Sequence, residues 1–156
     1  MTVRNYFHVG ILVPDIRAAM TRFSDVLGLE FKEPAVAHVD DFDDTTGRRT
    51  LDLLITWATT GPPFVELLEA QGEGGLYGSR QLGLHHVGLY DPGPEALIEE
   101  LMGKGLRREA TQWSEDGRII AVYTAPEEMH GTRLEFIDQG REQGMNDWIA
   151  GKSWAD

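Results

Sequence analysis

Tyr6-Phe7-His8-Val9-Gly10-Ile11-Leu12-Val13 is answered later in the chain by His85-His86-Val87-Gly88-Leu89-Tyr90. Both stretches read His-Val-Gly and then apolar residues. A proline follows each glycine by four positions, Pro14 after Gly10 and Pro92 after Gly88. Each stretch then runs into a helical pattern that stops at a glycine-leucine pair, Gly28-Leu29 and Gly105-Leu106. Self-similarity at such a period marks a duplicated supersecondary unit. It also sets two histidines, His8 and His86, in equivalent positions.

Outward from the first copy, strand alternation puts Phe7, Val9, Ile11 and Val13 on one face and Tyr6, His8, Gly10 and Leu12 on the other. The first face is uniformly apolar and is expected against a helix. Asp15 suits a helix N-cap, Ile16, Ala19, Met20, Phe23, Val26 and Leu27 follow at helical spacing, and Gly28 suits a C-terminal stop. A second strand is read over 29–39, interrupted at Pro34, then an acidic loop, Asp40-Asp41-Phe42-Asp43-Asp44. Strands over 50–58 and 64–70 flank the turn Gly61-Pro62-Pro63, and 71–83 is a glycine-rich linker. The second module repeats the order. It has a strand over 84–90, a helix opened by Pro94 with Leu97, Ile98, Leu101 and Met102 as its stripe, and strands over 106–113, 118–124 and 132–138. In the tail, 139–156, Met145, Trp148 and Ile149 form one face of a short helix. The 156 residues thus read as one α+β domain of two tandem βαβββ modules, about 5–70 and 84–138.

Composition bounds the function. The chain carries 41% hydrophobic residues, enough for a packed core. No apolar run approaches the roughly 18 residues of a membrane span. The N-terminus lacks a charged-then-apolar signal pattern, so a cytoplasmic location is expected. There is no cysteine, which excludes disulfides and thiolate chemistry. A formal charge of -12 repels phosphate backbones and argues against a nucleic-acid partner.

The fourth strand of each module carries a carboxylate between apolar neighbours, Val65-Glu66-Leu67-Leu68 and Leu134-Glu135-Phe136-Ile137. The histidine-to-glutamate separation is 58 positions in the first module, His8 to Glu66, and 49 in the second, His86 to Glu135, and the difference of nine is assigned to the extra acidic loop of the first module. A lone strand histidine or glutamate is ordinarily a core or surface residue. Here the pair recurs at matching positions, which points to one divalent metal ion. Imidazole and carboxylate ligands suit zinc, nickel, cobalt, manganese or iron. Strand parity puts His85 on the face of Val87 and Leu89, away from His86, so no ligand role falls to it. His38 and His130 have no counterpart in the repeat, and His130 precedes the strand of Glu135. Trp57, Tyr77, Trp113 and Tyr123 are the aromatic candidates to line a binding cup.

On these residues the chain, from Phe7 to about Asp138, resembles the vicinal oxygen chelate superfamily of glyoxalase I, methylmalonyl-CoA epimerase, extradiol dioxygenases and bleomycin-resistance proteins. The resemblance implies a cup-shaped mixed sheet around one divalent metal held by His8, Glu66, His86 and Glu135. Phe64-Val65-Glu66-Leu67-Leu68-Glu69 followed by Gly83-Leu84-His85-His86-Val87-Gly88 looks most like methylmalonyl-CoA epimerase, which has glutamine or glutamate at the position of Glu66. It implies an epimerase or isomerase that moves a proton next to a carbonyl through a metal-stabilised enolate. Glu135 is the first candidate for that transfer, with Glu66 or Asp52 on the opposite face. Asp52 matches an acidic residue of the epimerase across a loop of different length, and the epimerase's lysine has no counterpart. The implied partners are a small carbonyl substrate, an acyl-CoA in the epimerase reading, and a second copy of the chain in a homodimer. The alternatives are a glyoxalase I-like lyase with the same four ligands, a small-molecule-binding resistance protein, and a ring-cleaving dioxygenase. In the dioxygenase Glu66 would be surplus.

Overall fold

A computed structural model of the chain describes residues 3–153; the last three residues of the tail, 154–156, lie outside it. The elements are β1 (Tyr6–Val13), α1 (Ile16–Leu27), β2 (Ala35–Asp44), β3 (Gly47–Trp57), β4 (Phe64–Glu69), β5 (Gly83–Asp91), α2 (Pro94–Gly103), β6 (Arg108–Trp113), β7 (Ile119–Thr124), β8 (Leu134–Asp138) and α3 (Glu142–Ile149). The order is strand, helix, three strands, stated twice. The eight strands close into a barrel in the order β1-β4-β3-β2-β6-β7-β8-β5. Each module therefore supplies four adjacent strands. Inside each, the first strand pairs in parallel with the fourth, β1 with β4 and β5 with β8. The modules meet antiparallel at two seams, β1 against β5 and β2 against β6.

Helices α1 and α2 cover the outside of this sheet. Asp15 accepts from the Ala18 backbone N–H at 2.8 Å, and Gly28 ends α1 in the left-handed conformation at φ 70. Glu69 of β4 takes the Ile16 N–H at 2.9 Å, tying the start of α1 to the sheet. The α1 stripe then buries Ile16, with Ala19, Met20 and Phe23 against Ile11, Val13 and Leu67. Leu97 and Leu101 of α2 pack the same way on Leu89 and Phe136. Burial of this kind gives roughly 1.5–3 kcal/mol per large side chain. No helix of the described residues is long and apolar enough to cross a membrane.

Two expectations are corrected. The acidic stretch is not a loop, because β2 starts only after Pro34 and runs through to Asp44. Val39 and Phe42 of this stretch are buried, and a register shift between them lets both turn inward. Its charges are met from β3: Arg48 reaches Asp41 at 2.7 Å and Arg49 reaches Asp44 at 2.8 Å. Within the linker, Leu76 and Tyr77 are buried in the core of the barrel. Phe7 leaves the α1 face of β1. A register shift between Tyr6 and His8 stacks its ring on Tyr90, with centroids 3.8 Å apart, and it packs beside Trp57 and Trp148.

Candidate metal centre

The repeated His-Val-Gly has a steric logic that the register makes plain. Across the β1–β5 seam His8 stands opposite Gly88, and Gly10 stands opposite His86. A Cβ on Gly88 falls well inside 3.0 Å of the His8 ring, and one on Gly10 does the same to the His86 ring. Each module's glycine is the space into which the other module's histidine folds. The same glycines set the carboxylates: Gly10 pairs with Glu66 in β4 and Gly88 with Glu135 in β8. Two copies of one motif thus bring two imidazoles and two carboxylates to one point.

All four residues are buried. The Nε2 atoms of His8 and His86 are 2.8 Å apart. His8 Nε2 lies 3.3 Å from Glu66 Oε2 and 3.1 Å from Glu135 Oε2. His86 Nε2 lies 3.4 Å and 3.1 Å from the same two oxygens. Ligands about 2.0–2.2 Å from a metal, at tetrahedral or octahedral angles, stand roughly 2.9–3.5 Å from one another. The spacing and donor types of His8, Glu66 and His86 fit a divalent ion, with one ligand atom from each within 4.8 Å of the others. Glu135 reaches both imidazoles but stands outside that group of three.

The electrostatics say the same. Burial alone would lower the histidine pKa values, but Glu135 and Glu66 outweigh it, raising His8 and holding His86 at about 9. Burial would raise Glu66 and Glu135, yet the two imidazoles keep both carboxyls below their ordinary range. Without a cation, protons on the imidazoles compensate the two carboxylates. A metal at this point displaces those protons.

Asp52 is not brought to the cluster. Leu51 and Leu53 of β3 turn into the core, so alternation sends Asp52 outward. There it is exposed and pairs with His38 of β2 at 2.5 Å. The role of second acid or base expected of Asp52 is corrected on this ground. His130 is exposed in a left-handed turn after a short 3-10 segment. Of the four aromatic candidates, Tyr77 and Tyr123 line the barrel cavity. Trp57 packs on His8 with ring centroids 4.7 Å apart, and Trp113 lies under Arg48.

His85 also departs from parity. Gly10 pairs with His86 and Ile11 with Leu84, so His85 is the extra residue of a β-bulge. The bulge turns it to the side of His86, with the two Nδ1 atoms 2.8 Å apart. Its Nε2 lies 2.7 Å from the Leu76 carbonyl, and Tyr77 stacks on its ring. Burial, followed by the charge of His86, pushes its pKa down to about 3.

The two carboxylates differ in their neighbours. Tyr123 stands opposite Glu135 in the β7–β8 pair and donates its hydroxyl to Glu135 Oε1. Tyr77 is hydrogen-bonded to the Tyr123 hydroxyl at 2.5 Å. Burial, with the charge of Glu135, pushes both phenols up, so they stay neutral donors. Trp57 holds the matching place opposite Glu66, and its indole Nε1 has no hydrogen-bond partner among the described residues. Among the described residues no hydroxyl donates to Glu66.

A cavity of about 330 Å³ opens inside the barrel onto this centre. Glu66, Glu135 and Tyr123 line it together with apolar side chains such as Leu53, Leu68 and Ile137. Arg141, Met145 and Trp148, from α3 and the turn before it, form another part of its wall.

Comparison with known proteins agrees with this architecture. The model of the Glyoxalase/Bleomycin resistance protein/Dioxygenase superfamily matches residues 7–123. The chain belongs to that superfamily. Solved structures similar to it include a methylmalonyl-CoA epimerase of Streptomyces coelicolor in complex with 2-nitronate-propionyl-CoA. The TM-score is 0.60 at 17% identity, over 87% of this chain and 94% of that one. A methylmalonyl-CoA epimerase from Mycobacterium tuberculosis aligns with TM-score 0.58 at 17% identity, over 85% of each chain. A hypothetical protein from Bacillus halodurans aligns with TM-score 0.60 at 20% identity, over 87% of this chain and 94% of that one. At these identities the likeness is one of fold. No curated protein sequence matches the chain at a significant level.

Proposed function

We propose that the protein is a metal-dependent epimerase or isomerase that moves a proton at a carbon next to a carbonyl, with His8, Glu66, His86 and Glu135 holding the ion. The observation that carries this reading is the convergence of four buried donor atoms on a point that opens into an apolar cavity. An ion bound there supplies positive charge to substrate oxygens and so acidifies the neighbouring C–H. The chain's own residues do the rest. The apolar walls exclude water and orient the substrate's carbon skeleton. Glu135 is held by Tyr123 as well as by the two imidazoles, whereas among the described residues Glu66 is met by the imidazoles without a hydroxyl donor. Glu66 is therefore the carboxylate that takes the proton, and Glu135 would return one to the opposite face after taking it up from solvent, so that one proton leaves on Glu66 as another arrives through Glu135. Two carboxylates serving one carbon is what inversion of a centre requires. An epimerase with glutamine at this position cannot use it so; glutamate gives this chain its second ionisable group.

The substrate favoured by the cavity is a compact, largely apolar carbonyl compound. Similar folds are seen in methylmalonyl-CoA epimerases, one of them solved with methylmalonyl-CoA and NH4+. For this chain a coenzyme A moiety is disfavoured by a formal charge of -12 and by arginines already paired, such as Arg48 with Asp41 and Arg107 with Glu127. The test is exchange of the substrate's α-hydrogen with solvent deuterium. The panel is 2-substituted carbonyl acids, methylmalonyl-CoA and the hemithioacetal of methylglyoxal. Exchange is expected with metal-loaded protein, is lost with chelator, and is lost in Glu66→Gln while metal content persists. Metal-loaded protein inert on the whole panel would overturn the reading in favour of sequestration.

A further inference from the structure

We infer that His85 is a positioning residue that orients His86 toward the metal and fixes which of its nitrogens is free. The inference rests on the metal reading above. A histidine that ligates through Nε2 must carry its proton on Nδ1. In His86 that nitrogen lies 2.8 Å from His85 Nδ1, which then has to accept. The other nitrogen of His85 lies 2.7 Å from the Leu76 carbonyl oxygen, which has no proton to give. His85 Nε2 therefore carries the proton and donates it to Leu76. Every nitrogen of the pair finds a complementary partner with both rings neutral, and the one lone pair left over points into the centre.

The rest of the arrangement holds this relay still. Tyr77 stacks on the His85 ring at 5.3 Å with an interplanar angle of 17°. The Leu76 N–H donates to Asp44 Oδ2 at 2.8 Å, and Asp44 is itself gripped by Arg49 and Thr46. The segment between the modules is thus anchored at one end of Leu76 by the acidic stretch and presents its carbonyl to His85 at the other. His8 has no such support, because among the described residues its buried Nδ1 has no hydrogen-bond partner. The relay belongs to the second module alone. Partners of this kind, one bond beyond a metal ligand, typically change affinity by about 10–100-fold when removed.

Two readouts test the inference without reference to turnover. In zinc-loaded wild-type protein, nitrogen-15 NMR is expected to show a slowly exchanging His86 Nδ1–H with a scalar coupling across the hydrogen bond to His85 Nδ1. Zinc affinity, measured by chelator competition, is expected to fall by about 10–100-fold in His85→Phe, which keeps a ring but no acceptor. His85→Asn places an amide oxygen near the position of Nδ1, and it is expected to recover most of that loss. His85→Phe that folds and binds zinc within about twofold of wild type overturns the inference. If His85→Phe does not fold, the wild-type coupling decides, and its absence overturns the inference. Wild-type protein that takes up no divalent ion refutes the metal reading itself, a result distinct from equal binding by wild type and variant.

Discussion

Replacing Gly88 by alanine drives a methyl group into the His8 ring. The added carbon falls well inside 3.0 Å of that ring, against the roughly 3.5–4.0 Å at which carbon atoms make favourable contact. The ring would have to retreat by about 2 Å to restore that distance. Its other sides are closed by Trp57 at 4.7 Å and Phe7 at 4.5 Å between centroids, and His8 is fully buried. The strain therefore goes into the β1–β5 seam or turns Nε2 out of the cluster. Overpacking of this kind costs about 1–3 kcal/mol. For a domain of this size that lowers the melting temperature by roughly 3–10 °C. Loss of one ligand from four should also weaken divalent metal binding by at least about 100-fold, the upper end of what a mere supporting contact is worth. The assay is thermal unfolding of the chelated protein with calorimetric titration of zinc. Gly103→Ala in α2 is the control, since a Cβ there meets nothing and φ is ordinary. It should stabilise by about 0.5–1 kcal/mol. Gly88→Ala with an unchanged melting temperature and unchanged zinc affinity would refute the reciprocal packing of glycine and histidine.

The remaining predictions concern the residues around the cluster. Tyr123→Phe removes the hydroxyl donor to Glu135 and should weaken metal affinity about 10-fold by the same titration. Asp52→Asn should leave deuterium exchange within about twofold of wild type, because the side chain points out of the barrel to an exposed pair worth about 0–1 kcal/mol. Metal binding should release protons near neutral pH, seen as a dependence of binding enthalpy on the buffer. Apparent affinity should rise with pH until His86 loses its proton at about 9 and then level off.

The cluster of two histidines and two glutamates was legible because a repeat reports its members twice. His8 and His86 share a motif, and Glu66 and Glu135 share a strand position, so each checks the other without any alignment. The helix caps were legible for a local reason: Asp15 and Gly28 act within one turn of α1. What alternation misread are the places where a strand carries an extra residue. His85 and Phe7 both sit at register shifts of the β1–β5 seam, and such shifts move a side chain off the face that counting by twos assigns. The acidic stretch was misread because composition hid its pairing. Five residues with four aspartates look like solvated loop until Arg48 and Arg49 stand opposite them. Asp52 was misassigned by an alignment across that same stretch.

The duplication explains why there is a site; the places where the copies have diverged explain what the site can do. A perfectly symmetric centre would give two equivalent histidines and two equivalent carboxylates, with nothing to separate a fixed ligand from a moving base. Here Tyr123 and Trp57 occupy matching positions opposite Glu135 and Glu66. Only the tyrosine has a hydroxyl to give its carboxylate. His86 has His85 behind it, whereas His8 has a glycine and aromatic rings. The second module's donors are therefore held by hydrogen bonds from neighbouring side chains, and the first module's by packing and by their contacts within the cluster. The difference can be read directly by exchanging it. Trp57→Tyr would bring a hydroxyl into the strand position beside Glu66, and Tyr123→Phe would remove the one beside Glu135. If the division of labour comes from those two side chains, the double variant should keep its metal while deuterium exchange becomes sensitive to Glu135→Gln more than to Glu66→Gln. Exchange that still depends chiefly on Glu66 would mean that the position of the carboxylate in the barrel, and not its hydroxyl neighbour, selects the base.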